Sequence, residues 1–135
     1  MMKQKTILYV DDDADDRIFL AEAIELVQPG VKVVEAENGL RAIEILNNIK
    51  KDSSPLPCLI VLDINMPYLD GRETYFQLRK DADLQTVPVI VFSSSERPDD
   101  KLQFNNLGVE YLVKPIDLKY MTQIATHMVG ICCDR

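Results

Sequence analysis

The chain has 135 residues, of which 47% are hydrophobic and 27% charged, the composition of one soluble globular domain large enough for its own core. A net charge of −7 argues against nucleic acid as a direct partner. The first apolar run meets aspartates too soon for a signal-peptide core or a membrane span, so the expectation is a cytoplasmic protein that does not enter a membrane.

In chain order, Thr6-Ile7-Leu8-Tyr9-Val10 reads as a buried strand, ended by Asp11-Asp12-Asp13. Arg17, Leu20, Ala21, Ile24 and Val27 then recur at helical spacing, and Pro29-Gly30 stops that helix. The partly alternating, charged run Val31 to Ala36 predicts an edge strand. Asn38-Gly39 opens a helix with Ala42, Ile45, Leu46 and Ile49 on one face, followed by a solvated loop over 50–55.

Cys58-Leu59-Ile60-Val61-Leu62-Asp63 is the most informative stretch. A branched apolar run lies between Pro55, Pro57 and Pro67, as in a strand buried on both faces, yet it ends in a carboxylate. A buried charge without a partner is costly, so something must meet Asp63. After the turn at Pro67-Tyr68-Leu69-Asp70-Gly71, a weakly amphipathic helix is expected over 72–80.

Pro88 to Phe92 is the next strand, followed by Ser93-Ser94-Ser95. Pro98 with Asp99 and Asp100 starts a helix that Gly108 stops. Tyr111-Leu112-Val113 closes at Lys114-Pro115, and Asp117 is expected to cap a final helix with the stripe Leu118, Met121, Ala125 and Met128. Three cysteines without metal-ligand spacing predict no disulfide framework and a reducing compartment, with Cys132 and Cys133 in a frayed terminus.

Five strand-then-helix units predict a single doubly wound α/β domain with a parallel sheet, over residues 1–135. Ligand crevices in such sheets lie outside the carboxyl ends of the strands. Asp11 to Asp13, Asp63, Ser93 and Lys114 all stand at those ends. Clustered carboxylates suit a hard divalent cation, while a lysine and a hydroxyl suit phosphoryl oxygens. The set fits a carboxylate that attacks phosphorus and becomes an acyl phosphate.

The four motifs Val10-Asp11-Asp12-Asp13, Leu62-Asp63-Ile64-Asn65-Met66-Pro67 with Asp70-Gly71, Pro88 to Ser93, and Tyr111 to Pro115 resemble the receiver domain of two-component response regulators, in order and spacing across nearly the whole chain. The resemblance implies a flavodoxin-like three-layer sandwich with strand order 2-1-3-4-5. It implies that Asp63 accepts a phosphoryl group from a sensor histidine kinase or phosphotransfer protein, with Mg²⁺ (or Mn²⁺) held by Asp11, Asp12, Asp63 and the backbone carbonyl of Asn65. Asp11 would act largely through water. Ser93 becomes the switch hydroxyl, Lys114 the phosphoryl-contacting lysine and Tyr111 the switch aromatic. Pro115 would aim Lys114, usually across a cis peptide bond, and Asn65 and Ser95 would tune dephosphorylation. The run Asp13-Ala14-Asp15-Asp16-Arg17 resembles small stand-alone regulators, including those paired with phytochrome-type kinases.

Simpler roles compete at several positions. Asp13, Asp15 and Asp16 read as a solvated acidic turn; a calcium loop there fails because Asp16 stands where glycine is required. Tyr111 could be a packed core aromatic, His127 reads as a surface residue, and Met121 and Met128 read as core.

The expected function is a phosphorylation-dependent switch that signals by protein contact or phosphorelay. Its expected output face is the fourth helix, fifth strand and fifth helix, where the family resemblance implies homodimerisation on activation, with no output domain and no enzyme activity beyond its own phosphorylation and slow dephosphorylation. A constitutive module would lack Asp63, Lys114 or the acidic pair, all of which are present. An aspartyl-phosphate phosphohydrolase would place an acid where Asn65 stands.

Overall fold

A computed structural model describes residues 4–133. The elements are β1 (Lys5–Val10), α1 (Ala14–Val27), β2 (Val31–Ala36), α2 (Gly39–Lys51), β3 (Leu59–Leu62), α3 (Gly71–Lys80), β4 (Val89–Ser93), α4 (Pro98–Asn106), β5 (Glu110–Val113), a 3-10 turn (Leu118–Tyr120) and α5 (Met121–Cys133). All strand pairings are parallel, in the order β2-β1-β3-β4-β5. This is the doubly wound parallel sheet expected from strict alternation, in the flavodoxin-like order that the family resemblance implies, and the charged strand β2 lies at an edge.

Side chains of a strand alternate between faces, which divides the core in two. Leu8, Val10, Ile60, Leu62, Val89 and Val91 face α2, α3 and α4 through Leu46, Tyr75, Leu78 and Phe104. Ile7, Tyr9, Leu59, Val61, Ile90 and Phe92 face α1 and α5 through Leu20, Ile24, Met121, Ala125 and Met128. The central strand β3 is buried along its whole length, so both layers rest on it. No described helix is long and apolar enough to cross a membrane.

The helix ends follow their local chemistry. Asp13 caps α1 by accepting from the N–H groups of Asp15 and Asp16, Asn38 caps α2 through Arg41 N–H, and Asp70 caps α3 through Glu73 N–H. Pro98 starts α4, and Gly108 follows it with φ +73°, a left-handed conformation suited to glycine.

Four expectations need correction. The helix α3 is clearly amphipathic, because Gly71, Thr74, Tyr75 and Leu78 form one buried face. Only Leu78 among the four carries an aliphatic side chain, so counting apolar residues misses the stripe. Asp117 caps the separate 3-10 turn through Lys119 N–H, not α5, and Leu118 is 49% exposed and lies outside the stripe.

The third correction concerns the cysteines. Cys58 and Cys132 form a disulfide with Cα atoms 5.1 Å apart, across 74 positions of sequence. Crossover helices run back against their strands, which brings the last turn of α5 to the end of the sheet where β3 begins. Cys132 is 2% exposed and continues the stripe of Met121, Ala125 and Met128, so it is core and not frayed. The argument from cysteine content for a reducing compartment falls away. Finally, the Lys114–Pro115 bond is trans, since no described peptide bond is cis. Lys114 is aimed instead by its own N–H, which donates to Ser93 O at 2.8 Å, and by the carboxylates its side chain meets.

Candidate functional site

Parallel pairing brings the carboxyl ends of β1, β3, β4 and β5 to one rim. Val10 pairs with Leu62, so Asp11 and Asp63 emerge side by side, and Asp63 N–H donates to Val10 O at 2.9 Å. Ser93 pairs with Val113, which sends Lys114 out beside the end of β4. The Lys114 ammonium lies 2.6 Å from Asp11 Oδ2, 2.8 Å from Asp16 Oδ2 and 3.1 Å from Asp63 Oδ2. Asp63, Lys114, Asp11 and Ser93, drawn from four strand ends, therefore gather as the sequence predicted.

One ammonium serving three carboxylates leaves an unbalanced charge. Burial is the main force on Asp63 and disfavours its charged form. The Lys114 charge opposes that, Asp11 adds repulsion, and the outcome is a carboxyl raised above its ordinary 3.8. Burial alone would discharge Lys114, but its hydrogen bonds to Asp11 and Asp16 and the charges of Asp63 and Asp11 prevail and raise it above its ordinary 10.5. Both members of the Lys114–Asp63 pair thus shift upward. For Lys114 the pairing wins, whereas for Asp63 burial and the crowding of acids win.

Asp11 is fully buried and held from several sides. Tyr9 hydroxyl donates to its Oδ2 at 2.6 Å and Asp13 N–H donates to its Oδ1 at 2.9 Å. Arg17 donates to its backbone carbonyl at 2.6 Å. The Tyr9 hydroxyl is itself raised, first by burial and then by the Asp11 charge and the hydrogen bond to it, so it remains a donor. Asp63 is 7% exposed and its Oδ1 accepts from Ile64 N–H at 2.7 Å, leaving Oδ2 to face Lys114.

Beyond β4 a second network begins. Ser93 is fully buried, and its Oγ accepts from Ser95 N–H at 3.2 Å. Ser95 hydroxyl donates to Asp100 Oδ2 at 2.6 Å, and Arg72 pairs with the other oxygen of Asp100. Tyr111 is half-buried, packs its ring against Phe104, and donates its hydroxyl to Ser95 O at 2.8 Å. Ser93, Ser95 and Tyr111 are thereby joined through one loop. Pro115 follows directly on Lys114, and Asn65 is exposed at the mouth of the site. His127 is exposed and pairs with Glu110 at 2.9 Å, on the surface as expected.

Three participants went unread in the sequence. Asp16, taken for a solvated turn residue, reaches Lys114, while Asp13 is a helix cap. Tyr9 supports Asp11, and the two-residue spacing that puts both on one face of β1 was a usable signal. Arg17, read as part of a helix stripe, clamps the Asp11 backbone and pairs with Glu35 at 3.0 Å.

Carboxylate oxygens of Asp11, Asp12 and Asp63 lie within 4.8 Å of one another, with Asp12 exposed and the other two buried. An all-oxygen, multiply charged donor set with one open side fits a hard divalent cation that keeps some of its water.

The comparisons with known proteins agree with this arrangement. The family described as response regulator receiver domain matches residues 7–126. Response regulator Rcp1 of Synechocystis sp. is 33% identical over 117 residues, covering 85% of this chain and 80% of Rcp1. Protein PilH of Pseudomonas aeruginosa is 33% identical over 112 residues, covering 82% of this chain and 86% of PilH. Among solved structures, the phosphorylated cyanobacterial phytochrome response regulator RcpA superposes with a TM-score of 0.85 at 30% identity, covering 96% of this chain and 94% of that one. The Mn²⁺-bound form of Rcp1 superposes with a TM-score of 0.78 at 29% identity, covering 93% and 92%. A match running from β1 into α5, over a sheet that gathers its acidic and basic strand ends on one rim, places the chain in the response regulator receiver domain family.

Proposed function

We propose that the protein is a phosphorylation-activated response regulator whose acceptor is Asp63. The observation that carries this reading is the position of the Asp63 carboxylate at the carboxyl end of β3, with Oδ2 3.1 Å from Lys114 Nζ and one of its oxygens within 4.8 Å of carboxylate oxygens of Asp11 and Asp12. Asp63 is the member of the acidic group best placed to be a nucleophile. Its Oδ1 is held by Ile64 N–H, and its Oδ2 touches only a side chain that can swing to a phosphoryl oxygen.

In the proposed reaction Asp63 Oδ2 attacks phosphorus of a phosphohistidine on a sensor histidine kinase or phosphotransfer protein. The new O–P bond forms as the P–N bond breaks, and the imidazole leaves with its electron pair. No general base is required, because an ionised carboxylate is already the nucleophile. Asp11, Asp12, Asp63 and the backbone carbonyl of Asn65 would hold Mg²⁺ (or Mn²⁺), which neutralises developing charge when bound. Lys114 transfers its contact from Asp63 to a phosphoryl oxygen, and Ser93 hydroxyl donates to another.

The response follows from the loop that joins these groups. Drawing Ser93 and Ser95 toward new acceptor oxygens at Asp63 pulls on the Ser95 carbonyl to which Tyr111 is bonded, so Tyr111 is free to turn inward. The affected face is α4, β5 and α5, where Leu102 and Leu107 are exposed. A downstream protein or a second copy of the chain binds there. Signalling by contact or relay, from a single cytoplasmic receiver domain that does not contact nucleic acid or membrane, completes the proposal. Asn65 and Ser95 tune the lifetime of the phosphoryl group, and hydrolysis of that group is the domain's own slow timer.

Intact-protein mass spectrometry after incubation with Mg²⁺ and acetyl phosphate tests the reading. One labile phosphoryl adduct, absent in Asp63→Ala and after addition of EDTA, is expected. A folded, metal-binding protein that forms no adduct with either acetyl phosphate or a phosphorylated histidine phosphotransfer domain would sink it.

A further inference from the structure

We propose that Cys58 and Cys132 form a reversible, redox-controlled staple that sets how firmly the end of α5 is held to the sheet. Cys58 immediately precedes β3 and Cys132 lies in the last turn of α5, so the bond joins the central strand to the final helix. The same strand carries Cys58 before its first residue and Asp63 after its last.

Both oxidation states are accommodated. Cα atoms 5.1 Å apart permit the disulfide without moving the backbone. When reduced, Cys58 has an acceptor waiting, because its Sγ lies 3.1 Å from Thr6 O, and its backbone N–H stays bonded to that same carbonyl at 2.8 Å. Reduced Cys132 is a small apolar side chain in the core cluster that holds Met128 and Val129, an environment that suits it. The thiol pair leaves no buried polar group stranded, so opening the bond does not require unfolding.

Besides the bond, this end of α5 is held by Met128 and Val129 in the core cluster and by Ile131 packed against it. The last turn has no basic residue of its own, and Lys5 of β1 supplies the helix-terminal cation, its Nζ donating to Cys132 O at 2.9 Å. Cys58 is only partly buried whereas Cys132 is enclosed, so an incoming thiolate meets the Cys58 sulfur first. Attack there forms a mixed disulfide with Cys58 and releases the Cys132 thiolate, which takes up a proton. The second thiol of a dithiol reductant then displaces Cys58, leaving two cysteine thiols and an oxidised reductant, two electrons transferred in all. In the reverse direction, hydrogen peroxide takes two electrons and two protons from the thiol pair and leaves as two molecules of water. The redox-sensing role rests on the cytoplasmic location proposed above, because disulfides in reducing compartments are commonly redox-sensing.

The staple goes beyond the phosphoryl reading and does not rest on Asp63 being the acceptor. Its test uses the whole chain. Protein exposed to peroxide, or first treated with dithiothreitol, is freed of the reagent and unfolded in denaturant with excess alkylating agent, and the labelled cysteines are counted by mass spectrometry. One modified cysteine, Cys133, is expected before reduction and three after it. Hydrogen exchange of amides 129–133 should rise about tenfold on reduction, with β1 and β4 unchanged. Cys58→Ser should exchange like the reduced protein in either condition, and Cys133→Ser like the wild type. Three alkylated cysteines after peroxide, or the same exchange at 129–133 in oxidised and reduced wild-type protein, would overturn the proposal.

Discussion

Gly71 lies against the backbone of Asp63 so closely that a Cβ there would stand 2.2 Å from the Asp63 carbonyl oxygen and 2.8 Å from Ile64 Cα. Gly71 N–H also donates to Ile64 O at 2.8 Å, so the start of α3 rests on the residues that present the candidate acceptor. Neither contact atom belongs to a flexible side chain, and the backbone itself must give way. Gly71→Ala is expected to cost about 3 kcal/mol in urea denaturation, at the upper end for an added buried methyl. It should also slow phosphorylation by acetyl phosphate, because Asp63 moves with its carbonyl. Unchanged stability in Gly71→Ala would contradict this packing.

The raised Asp63 carboxyl has a stability consequence whose sign is fixed by linkage. A group that holds its proton more tightly when folded favours the folded state below its unfolded value, ordinarily 3.8, and that advantage disappears as pH rises through the folded value. At neutral pH the ionised carboxylate is therefore a burden on the fold. Asp63→Asn should raise the melting temperature at neutral pH, and the gain should shrink as pH falls toward 3.8. Thermal melts of both proteins across that range check it, and a destabilised Asp63→Asn at neutral pH would contradict it.

Lys114 is the counter-ion for Asp11, Asp16 and Asp63. Lys114→Met should destabilise the protein by about 2 kcal/mol at neutral pH, less than the loss typical of a fully buried pair because exposed Asp12 leaves the site open to water. Millimolar Mg²⁺ should recover part of that loss in Lys114→Met, and denaturation with and without the ion measures it. In the wild type, the raised lysine contributes stability that is complete below 10.5 and is lost as pH rises through its folded value.

Tyr68 has φ 69° and is 82% exposed, a left-handed backbone under a side chain that gains little from packing. Relieving it in Tyr68→Gly should stabilise the fold by about 1 kcal/mol. Chemical denaturation tests this, and a loss of stability would mean that the tyrosine ring contributes more than the backbone costs.

The strands were legible because β1, β3 and β4 are unbroken branched runs that stop at polar residues, and the rim followed from where those runs stop. Asp63, Lys114, Ser93 and Asp11 could be placed on one edge from topology alone. Contacts that span the chain could not. Asp16 meets Lys114 across 98 positions, and Cys58 meets Cys132 across 74. Local pattern decides neither, since both depend on how α1 and α5 settle against the sheet. The buried face of α3 was missed for a different reason: Gly71 and Thr74 do not look like core until Asp63 is packed against Gly71 and Gly39 against Thr74. In α5 the 4-3-4 spacing of Met121, Ala125, Met128 and Cys132 was a usable signal for burying Cys132, although the stripe expected from sequence ends at Met128 and puts Cys132 in a frayed terminus.

The most direct test of the account is to find which carboxylate carries the phosphoryl group. Wild-type protein treated with acetyl phosphate and Mg²⁺ is reduced with borohydride, which converts an aspartyl phosphate to homoserine, and is then digested and sequenced by mass spectrometry. The account predicts homoserine at position 63 and unmodified Asp11, Asp12 and Asp16. Homoserine at one of those three, with Asp63 intact, would contradict it.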